Sequence, residues 1–390
     1  MLYTKQIMFN DCIIIAGGSG TRLWPASSSW SPKQFLPMPA KEPGESFFNA
    51  AVERALDLID REKDGRIIII AGRFHVTHII KACDKYSLAE KEHIILIPEP
   101  EAKNTAPAIA CALHYIDWMS GGEERNIMVL TSDHIISPIN RFKVDLAAAE
   151  AFARADKLTI FGIKPGSPQT GYGYIETGKT ISRVAEEPKV YKVISFREKP
   201  DKNKAEEFLK AGNFFWNSGM FAFSSKFMLN EFRRNAPDLI KPFGKLRAPD
   251  ERSFRTEHGL RVLWEWLDLD KAYNEAKSIS FDYAIVEKCS EAVMVKAGFD
   301  WIDVGSCDEY AFLLERNNLN KSEVYQINSK DCFVDSDVAV ALIGVEGLII
   351  AVRSGKNGGP GSILVAKKGD TQHVREIVEQ IREQGREELL

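Results

Sequence analysis

The sequence predicts an α/β protein with a mixed, mostly parallel sheet that carries helices on both faces. Short, wholly apolar runs alternate along the first part of the chain with stretches whose apolar residues recur at helical spacing. Strand, helix and strand in this order indicate βαβ units, whose parallel strands are covered on both faces. The predicted strands are residues 12–16, 66–71, 93–97, 127–131 and 158–163, and the predicted helices are residues 47–59, 76–86, 106–118 and 144–155.

Size and composition indicate a large domain followed by a smaller one. The chain has 390 residues, of which 44% are hydrophobic and 27% charged, as in globular proteins with a sizeable core. Its formal net charge of −4 gives no sign of a nucleic-acid or membrane partner. The six cysteines form no C-x-x-C pair, and neither a signal peptide nor an 18-residue apolar span is present. We therefore expect a cytoplasmic protein.

A glycine-rich loop follows the first predicted strand, in the stretch IIIAGGSGTRLWPASSSWSPKQFL. Gly17, Gly18 and Gly20 allow a sharp turn and a close approach of the backbone to a ligand, and successive N–H groups in such a loop attract phosphate. Arg22 and Lys33 add one planar and one point-like cation, which suit a polyphosphate. The spacing is neither that of a P-loop nor that of a dinucleotide fingerprint, and a strand that simply ends in a glycine turn is the alternative interpretation.

Two further polar segments follow predicted strands. In PEPEAKNTAPAIA, Asn104 or Thr105 is suited to cap a helix. In VLTSDHII, Asp133 stands at the end of a buried strand, where an α/β enzyme would place a metal ligand, and His134 is interpreted as its structural neighbour. Ligands of such sheets bind beyond the carboxyl ends of the strands, which is where these segments are expected.

The second half of the chain adds polar residues at loops and strand ends. They are Gly173 in TGYGYIE, Glu198 and Lys199 in FREKPD, Asn217 in FFWNSGMFAF, and Asp303 in FDWIDVGSCDEY. A carboxylate, an ammonium and an amide beside aromatic side chains suit a sugar phosphate, although each segment taken alone also fits a surface loop. Residues 230–277 show a helical, charge-rich pattern without a motif.

Together these motifs resemble those of the sugar-1-phosphate nucleotidyltransferases, and among them the mannose-1-phosphate guanylyltransferases. The resemblance rests on GGSGTRLWP with SPKQFL, on NTAPA, on WNSGM and on DVG, and it covers residues 12 to about 381. It implies a Rossmann-like nucleotide-diphospho-sugar transferase fold over residues 1–317. It also implies a small β-helix-like domain with a terminal helix over residues 318–390.

The resemblance implies a reaction of GTP with mannose 1-phosphate that yields GDP-mannose and pyrophosphate. The implied catalytic residues are Arg22, Lys33, Asp133 and Asp303, and the two aspartates would bind Mg²⁺. Lys33 would lie near the α-phosphate. The implied nucleotide-binding residues are Ala16, Gly17, Gly18, Gly20, Thr21, Arg22, Asn104, Thr105 and Asp133, and the implied sugar-phosphate-binding residues are Gly173, Glu198, Lys199 and Asn217. A homodimer is expected.

The chain departs from the family pattern at four positions. Ala102 and Lys103 replace a Gly-Arg pair, Ile302 replaces a serine, and Cys307 replaces a tryptophan. Residues 354–362 form a glycine-rich segment that we interpret as a hairpin loop, and some relatives continue into an isomerase domain for which we expect no room in this chain. Alternatives are another base or sugar, a non-catalytic sensor of nucleotide sugars, or a dinucleotide-dependent oxidoreductase, which the missing G-x-G-x-x-G disfavours.

Overall fold

A computed structural model of the chain describes residues 9–18, 20–28, 31–38, 45–182, 188–320, 322–355 and 360–390. The strands are β1 Asp11–Ile15, β2 Arg66–Gly72, β3 Ile94–Glu99, β4 Asn126–Thr131, β5 His134–Ser137, β6 Leu158–Ile163, β7 Tyr174–Thr180, β8 Val190–Arg197, β9 Phe214–Ser224, β10 Phe254–Glu257, β11 Leu260–Leu263, β12 Ala292–Lys296, β13 Asp300–Asp303, β14 Val324–Ile327, β15 Phe333–Ser336, β16 Val340–Ile343, β17 Leu348–Arg353 and β18 Ser362–Lys367. The α-helices are α1 Phe47–Leu58, α2 Val76–Ala82, α3 Leu88–Lys91, α4 Thr105–Met119, α5 Ile139–Ala153, α6 Lys202–Ala211, α7 Ser225–Asn235, α8 Pro237–Phe243, α9 Leu269–Glu275, α10 Phe281–Ala284, α11 Cys307–Arg316 and α12 Val374–Glu383.

The chain forms two compact units, each assembled from separate segments. Unit 1 contains Met1–Gly17, Ala51–Ser132 and Ile136–Trp301, and unit 2 contains Gly18–Ala50, Asp133–Ile135 and Ile302–Leu390. The domain boundary expected after residue 317 stays a prediction.

Unit 1 is built on an eleven-stranded sheet in the order β10-β11-β3-β2-β1-β4-β9-β6-β12-β8-β7. The run from β11 to β4 is parallel, and its strands β1 to β4 are almost continuously apolar because a parallel sheet is buried on both faces. Strand β9 then enters antiparallel between β4 and β6. The predicted mixed α/β sheet is confirmed, and its five predicted strands lie within one or two residues of the observed bounds.

The prediction of helix over residues 230–277 is wrong in part. The segment contains the end of α7, then α8 and α9, but between them the antiparallel strands β10 and β11 form a hairpin at the sheet edge. His258 and Gly259 connect them with φ values of 49° and 79°, the left-handed geometry that a two-residue hairpin turn requires. Apolar and polar residues alternate over Leu260, Arg261 and Val262 in β11, whereas β10 has one apolar residue followed by three polar ones, which obscures the strand pattern.

Unit 2 contains short strands in two small sheets. β14 pairs with β16 in parallel, β15 pairs with β17 in parallel, and β17 pairs antiparallel with β18. Val334, Leu342, Ile350 and Val352 form a small core of their own. The strands β17 and β18 flank residues 354–362 as a hairpin, and residues 356–359 of that loop lie outside the described residues.

None of the six cysteines is paired in a disulfide. Within the described residues, no helix has both the length and the apolar character needed to cross a membrane.

A buried ion pair ties the ends of two central strands together in unit 1. Arg125, just before β4, donates from Nε and Nη2 to Asp11 at 2.8 and 3.0 Å and from Nη1 to Asp64 at 2.8 Å. The Asp11 side chain is fully buried. Burial raises the pKa of Asp11, and the Arg125 bonds offset part of this rise. Asp11 therefore depends on Arg125 to remain ionised inside the protein.

We predict that Arg125→Met lowers the free energy of unfolding by about 3–5 kcal/mol, because it leaves a buried carboxylate without its partner. Chemical denaturation measures the change. Asp11→Asn combined with Arg125→Met should recover part of the loss, since no buried charge then remains. The matched control is Arg252→Met, which removes an exposed pair with Asp250 and should change stability far less. Equal effects of the two single variants would contradict the prediction.

Candidate functional site

The loop after β1 has the backbone geometry that its glycines suggest. Gly18 and Gly20 adopt φ values of 120° and 59°, which non-glycine residues rarely adopt. A Cβ at Gly20 would lie 2.4 Å from Lys33 Cβ and 2.9 Å from the Lys33 backbone nitrogen. Gly20 therefore allows the chain to pass against Lys33. Ser19, within the same loop, lies outside the described residues.

The flanking residues of this loop have different environments. Ala16 is buried, and its N–H donates to the Ile70 carbonyl at 2.8 Å, which continues the β1–β2 pairing. Thr21 begins a single 3₁₀ turn that ends at Leu23. Arg22, in that turn, is exposed, and its guanidinium makes no ion pair within the part of the chain that the structure describes. The Arg22 side chain is thus accessible to a ligand.

Lys33 forms ion pairs with both of the predicted metal-binding carboxylates, and all three residues belong to unit 2. Its Nζ donates to Asp133 Oδ2 at 2.9 Å and to Asp303 Oδ1 at 2.8 Å, and its side chain is buried. Burial alone would lower the pKa of Lys33, but the two carboxylates outweigh burial and raise it. Burial would likewise raise the pKa of Asp133, but the charge of Lys33 lowers it to about 2. Lys33 and Asp133 are therefore both charged near neutral pH.

His134 lies beside the same carboxylates. Its Nε2 is 3.5 Å from Asp133 Oδ1 and 3.8 Å from Asp303 Oδ1. One ligand atom from each of Asp133, His134 and Asp303 lies within 4.8 Å of the others. Two carboxylates at this spacing suit a hard divalent cation, because Mg²⁺ prefers oxygen ligands. In this structure the carboxylates already bind one cation, the Lys33 ammonium, which lies between them. The carboxylate oxygens of Asp133 and Asp303 are therefore suitable ligands for a divalent cation.

Two departures from the family pattern are accommodated in the same unit. The Cys307 thiol is buried and donates to the carbonyls of Arg22 and Trp24 at 3.7 and 3.8 Å. Ile302 packs against the apolar cluster that also contains Leu23, Val304 and Cys307. Both residues therefore support the segments that carry Arg22 and Asp303 without adding a charged group to the cluster.

The NTAPA segment begins α4 in unit 1. Asn104 is the N-cap residue, as one of the two predicted capping alternatives, and its side chain accepts from Thr105 N at 2.9 Å. Thr105 Oγ1 accepts from Phe281 N at 2.8 Å and so attaches α10 to the start of α4. Lys103 donates to the carbonyls of Asn274 and Ala276, each at 3.2 Å, at the end of α9. Lys103 thus stabilises a helix C-terminus, where a cation is favoured.

The four predicted sugar-phosphate residues are brought together in unit 1. Asn217 N donates to the Gly173 carbonyl at 2.8 Å. A Cβ at Gly173 would lie 2.7 Å from Glu198 Oε2 and 2.6 Å from the Phe196 ring, so only glycine allows Glu198 to lie this close. Lys199 Nζ lies 3.1 Å from Glu198 Oε1; the Lys199 side chain is 56% exposed and the Glu198 side chain 8% exposed. Lys199 also adopts a φ of 45°, an uncommon conformation for lysine that is often found at functional sites.

Asp282 is a member of this group that the sequence analysis missed. Asn217 Nδ2 donates to Asp282 Oδ1 at 2.8 Å, and Glu198 N donates to Glu287 Oε1 at 3.3 Å. Asp282 lies in α10 between the buried Phe281 and Ala284. SISFDYAIVEK carries no distinct signal for this contact, because the helix dipole favours an aspartate in the first turn whether or not the carboxyl group has another partner.

Comparison with known proteins identifies relatives of both parts of the chain. The family described as "Nucleotidyl transferase" matches residues 11–317, and the family described as "MannoseP isomerase/GMP-like beta-helix domain" matches residues 322–381. The chain is 34% identical over 386 residues to mannose-1-phosphate guanylyltransferase of Klebsiella pneumoniae, covering 96% of this chain and 74% of the relative. It is 33% identical over 380 residues, with the same coverage of both chains, to xanthan biosynthesis protein XanB of Xanthomonas campestris pv. campestris (strain B100).

Two solved structures also superpose on most of this chain. A crystal structure described as mannose-1-phosphate geranyltransferase from Thermus thermophilus superposes with a TM-score of 0.75 at 27% identity, covering 96% of this chain and 99% of that chain. A structure described as mannose-6-phosphate isomerase from Helicobacter pylori superposes with a TM-score of 0.58 at 24% identity, covering 75% of this chain and 100% of that chain. The second likeness shows a shared fold.

We predict that Gly20→Ala lowers the free energy of unfolding by about 1–3 kcal/mol, because it forces a left-handed backbone on alanine and a Cβ against Lys33. Chemical denaturation with a probe in unit 2 measures the loss. The matched control is Gly166→Ala, since a Cβ at Gly166 meets nothing within 4 Å and its φ is not in the left-handed region. Unchanged stability of the Gly20 variant would show that Lys33 can move away from this loop at no cost.

Proposed function

Because this chain belongs to the nucleotidyl transferase family, we propose that it transfers a guanylyl group from GTP to mannose 1-phosphate. The products are GDP-mannose and pyrophosphate. The nucleotidyl transfer is carried by one observation, the pair of carboxylates of Asp133 and Asp303 bound to one ammonium. The choice of GTP and of mannose 1-phosphate is supported by the names of the relatives from Klebsiella pneumoniae and Escherichia coli.

The reaction requires no general base. A phosphate monoester has a second pKa of about 6, so mannose 1-phosphate is mostly a dianion near pH 7 and can attack directly. An oxygen of the sugar phosphate forms a bond to the α-phosphorus of GTP. The bond between that phosphorus and the bridging oxygen of the β-phosphate breaks, and the electron pair leaves on pyrophosphate. The protein must therefore align two polyanions and compensate their charge.

Asp133 and Asp303 would hold Mg²⁺ in the reaction site. Bound Mg²⁺ supplies positive charge to oxygens that become more negative as the phosphoryl bond changes. Lys33 keeps Asp133 ionised and holds the two carboxylates close together, and the same ammonium would contact the α-phosphate. Arg22, which is exposed beyond the glycine loop, would neutralise the β- and γ-phosphates with a planar pair of donors.

The remaining residues would bind the two substrates outside the reacting phosphates. The nucleotide would contact Ala16, Gly17, Gly18, Gly20, Thr21, Asn104 and Thr105. Glu198, Asn217 and the Gly173 backbone would bind the sugar hydroxyls, which need both donors and acceptors. Lys199 would bind the sugar's phosphate, for which its exposed ammonium must leave the ion pair with the buried carboxylate of Glu198.

We predict that activity requires a divalent cation and is highest with GTP and mannose 1-phosphate. Pyrophosphate release is measured over a grid of nucleoside triphosphates and hexose 1-phosphates, with Mg²⁺ and with excess EDTA. Full turnover in EDTA would overturn the metal assignment. Faster turnover with dTTP, UTP or ATP would overturn the choice of base, and faster turnover with another sugar phosphate would overturn the choice of sugar. Asp303→Asn, tested for loss of Mn²⁺ binding by paramagnetic resonance, gives a readout independent of activity.

We predict that Lys199→Met raises KM for mannose 1-phosphate about tenfold or more and leaves KM for GTP nearly unchanged. A charge-assisted contact to a phosphate dianion contributes roughly 1.5–3 kcal/mol, which corresponds to about tenfold or more in the affinity for that substrate. Steady-state kinetics with each substrate varied in turn measures the two values. The control is Lys204→Met, which removes a lysine of similar exposure that pairs with Asp201 at 3.9 Å. Loss of affinity for both substrates, or for neither, would show that Lys199 does not bind the sugar's phosphate.

A further inference from the structure

The side-chain amide of Asn217 is engaged at both ends. Its Nδ2 donates to Asp282 Oδ1 at 2.8 Å, and its Oδ1 accepts from Gly219 N at 3.2 Å. An amide has two N–H groups and a carbonyl with two lone pairs, so one donor and one acceptor remain for a ligand. Asn217 is buried in β9. Its two contacts fix the orientation of the amide, and therefore the directions of the remaining N–H donor and of the remaining acceptor lone pair.

Asp282 is itself held in place by the backbone around it. It lies in α10, which Ser280 caps by accepting from Tyr283 N at 3.2 Å. Phe281 N donates a hydrogen bond to Thr105 Oγ1 at 2.8 Å, and this bond attaches α10 to the N-terminus of α4. The carboxyl group of Asp282 therefore has a defined position before any substrate arrives.

The charged groups that face Asp282 are Glu198, Lys199 and Glu287. Burial, together with the charge of Glu198, raises the pKa of Asp282 to about 7, while Lys199 opposes the rise. A carboxyl group keeps an acceptor oxygen in both protonation states. The bond from Asn217 Nδ2 can therefore persist through the titration of Asp282, and its role does not depend on a full negative charge.

We propose that Asp282 is a positioning residue for the sugar phosphate, which holds the Asn217 amide in one orientation and thereby fixes the donor and the acceptor offered to the sugar hydroxyls. A flipped amide would set its oxygen against the unprotonated Oδ1 of Asp282 and its N–H groups against the Gly219 N–H, and both contacts are repulsive. Removing Asp282 leaves only the longer of the two contacts to hold the orientation. This inference rests on the proposed binding of a sugar 1-phosphate at Gly173, Glu198, Lys199 and Asn217.

The experiment compares Asp282→Ala, Asp282→Asn and Asp282→Glu with the wild type. Mannose 1-phosphate is the probe, or the hexose 1-phosphate that the substrate grid identifies. Its Kd is measured by calorimetry, KM and kcat are measured for both substrates, and thermal melts report folding. Asparagine keeps an acceptor oxygen in the same place without the charge, whereas glutamate keeps the charge but moves the oxygen. We expect Asp282→Asn to match the wild type within about threefold, and Asp282→Glu and Asp282→Ala to raise Kd and KM for the sugar phosphate about tenfold, with KM for GTP unchanged.

Other outcomes would overturn the inference. If Asp282→Asn weakens sugar-phosphate binding as much as Asp282→Ala, charge rather than position is required. If all three variants bind like the wild type, or if both substrates weaken equally, Asp282 does not position the sugar site. Should the alanine variant fail to fold, the asparagine and glutamate variants decide the question by themselves. The matched control is Asp238→Ala, an exposed aspartate in the first turn of another short helix of unit 1.

Failure of this inference differs from failure of the proposed function. A wild-type enzyme that uses mannose 1-phosphate but tolerates all Asp282 variants would reject only the positioning role. A wild-type enzyme that prefers another hexose 1-phosphate would reject the proposed sugar and still allow the comparison of variants. A protein that binds no hexose 1-phosphate would reject both.

Discussion

The contact of Lys33 with Asp133 and Asp303 is the interaction on which the arrangement of the candidate reaction site depends. Two carboxylates this close repel one another, and burial favours the protonated form of Asp133. The ammonium reverses both effects, as the pKa of about 2 for Asp133 shows. It also joins residues that lie 100 and 270 positions away along the chain. Gly20 is the structural condition for this contact, because a larger residue would collide with Lys33.

Most of the fold could be predicted from the sequence because the central strands are apolar along almost their whole length. Residues 158–163 were predicted at their observed bounds, and the other four strands differ by one or two residues, which reflects fraying and the loops that follow them. The hairpin of β10 and β11 was missed because it lies at a sheet edge, where strands carry many charged residues. Local pattern also could not reveal that Gly18–Ala50 and Asp133–Ile135 belong to the same compact unit as the C-terminal strands.

The residues of the candidate site also fall into those that the sequence predicts and those that it does not. Motifs identified the residues that stand after strands, and the structure brings Lys33, Asp133 and Asp303 together in unit 2 and Gly173, Glu198, Lys199 and Asn217 together in unit 1. The sequence did not indicate that Lys33 bridges the two carboxylates or that Asp282 binds Asn217, because both are contacts over long separations. Lys103 shows the opposite case. This cation stands in a segment that we predict to bind nucleotide, and in the structure it stabilises the end of α9.

The discontinuous assembly of unit 2 has a consequence for the order of events during synthesis. Asp133 emerges from the ribosome long before Asp303, and Lys33 emerges earlier still. Until the later residues appear, Lys33 has only one of its two carboxylate partners, and the segment 18–50 lacks the apolar side chains of α11 and β15 to β18 that it packs against. Closing so long a loop costs entropy that only the finished contacts can repay. A nascent chain can thus complete much of its central sheet while Lys33 still lacks Asp303, so this charged cluster assembles only after β13 has been synthesised.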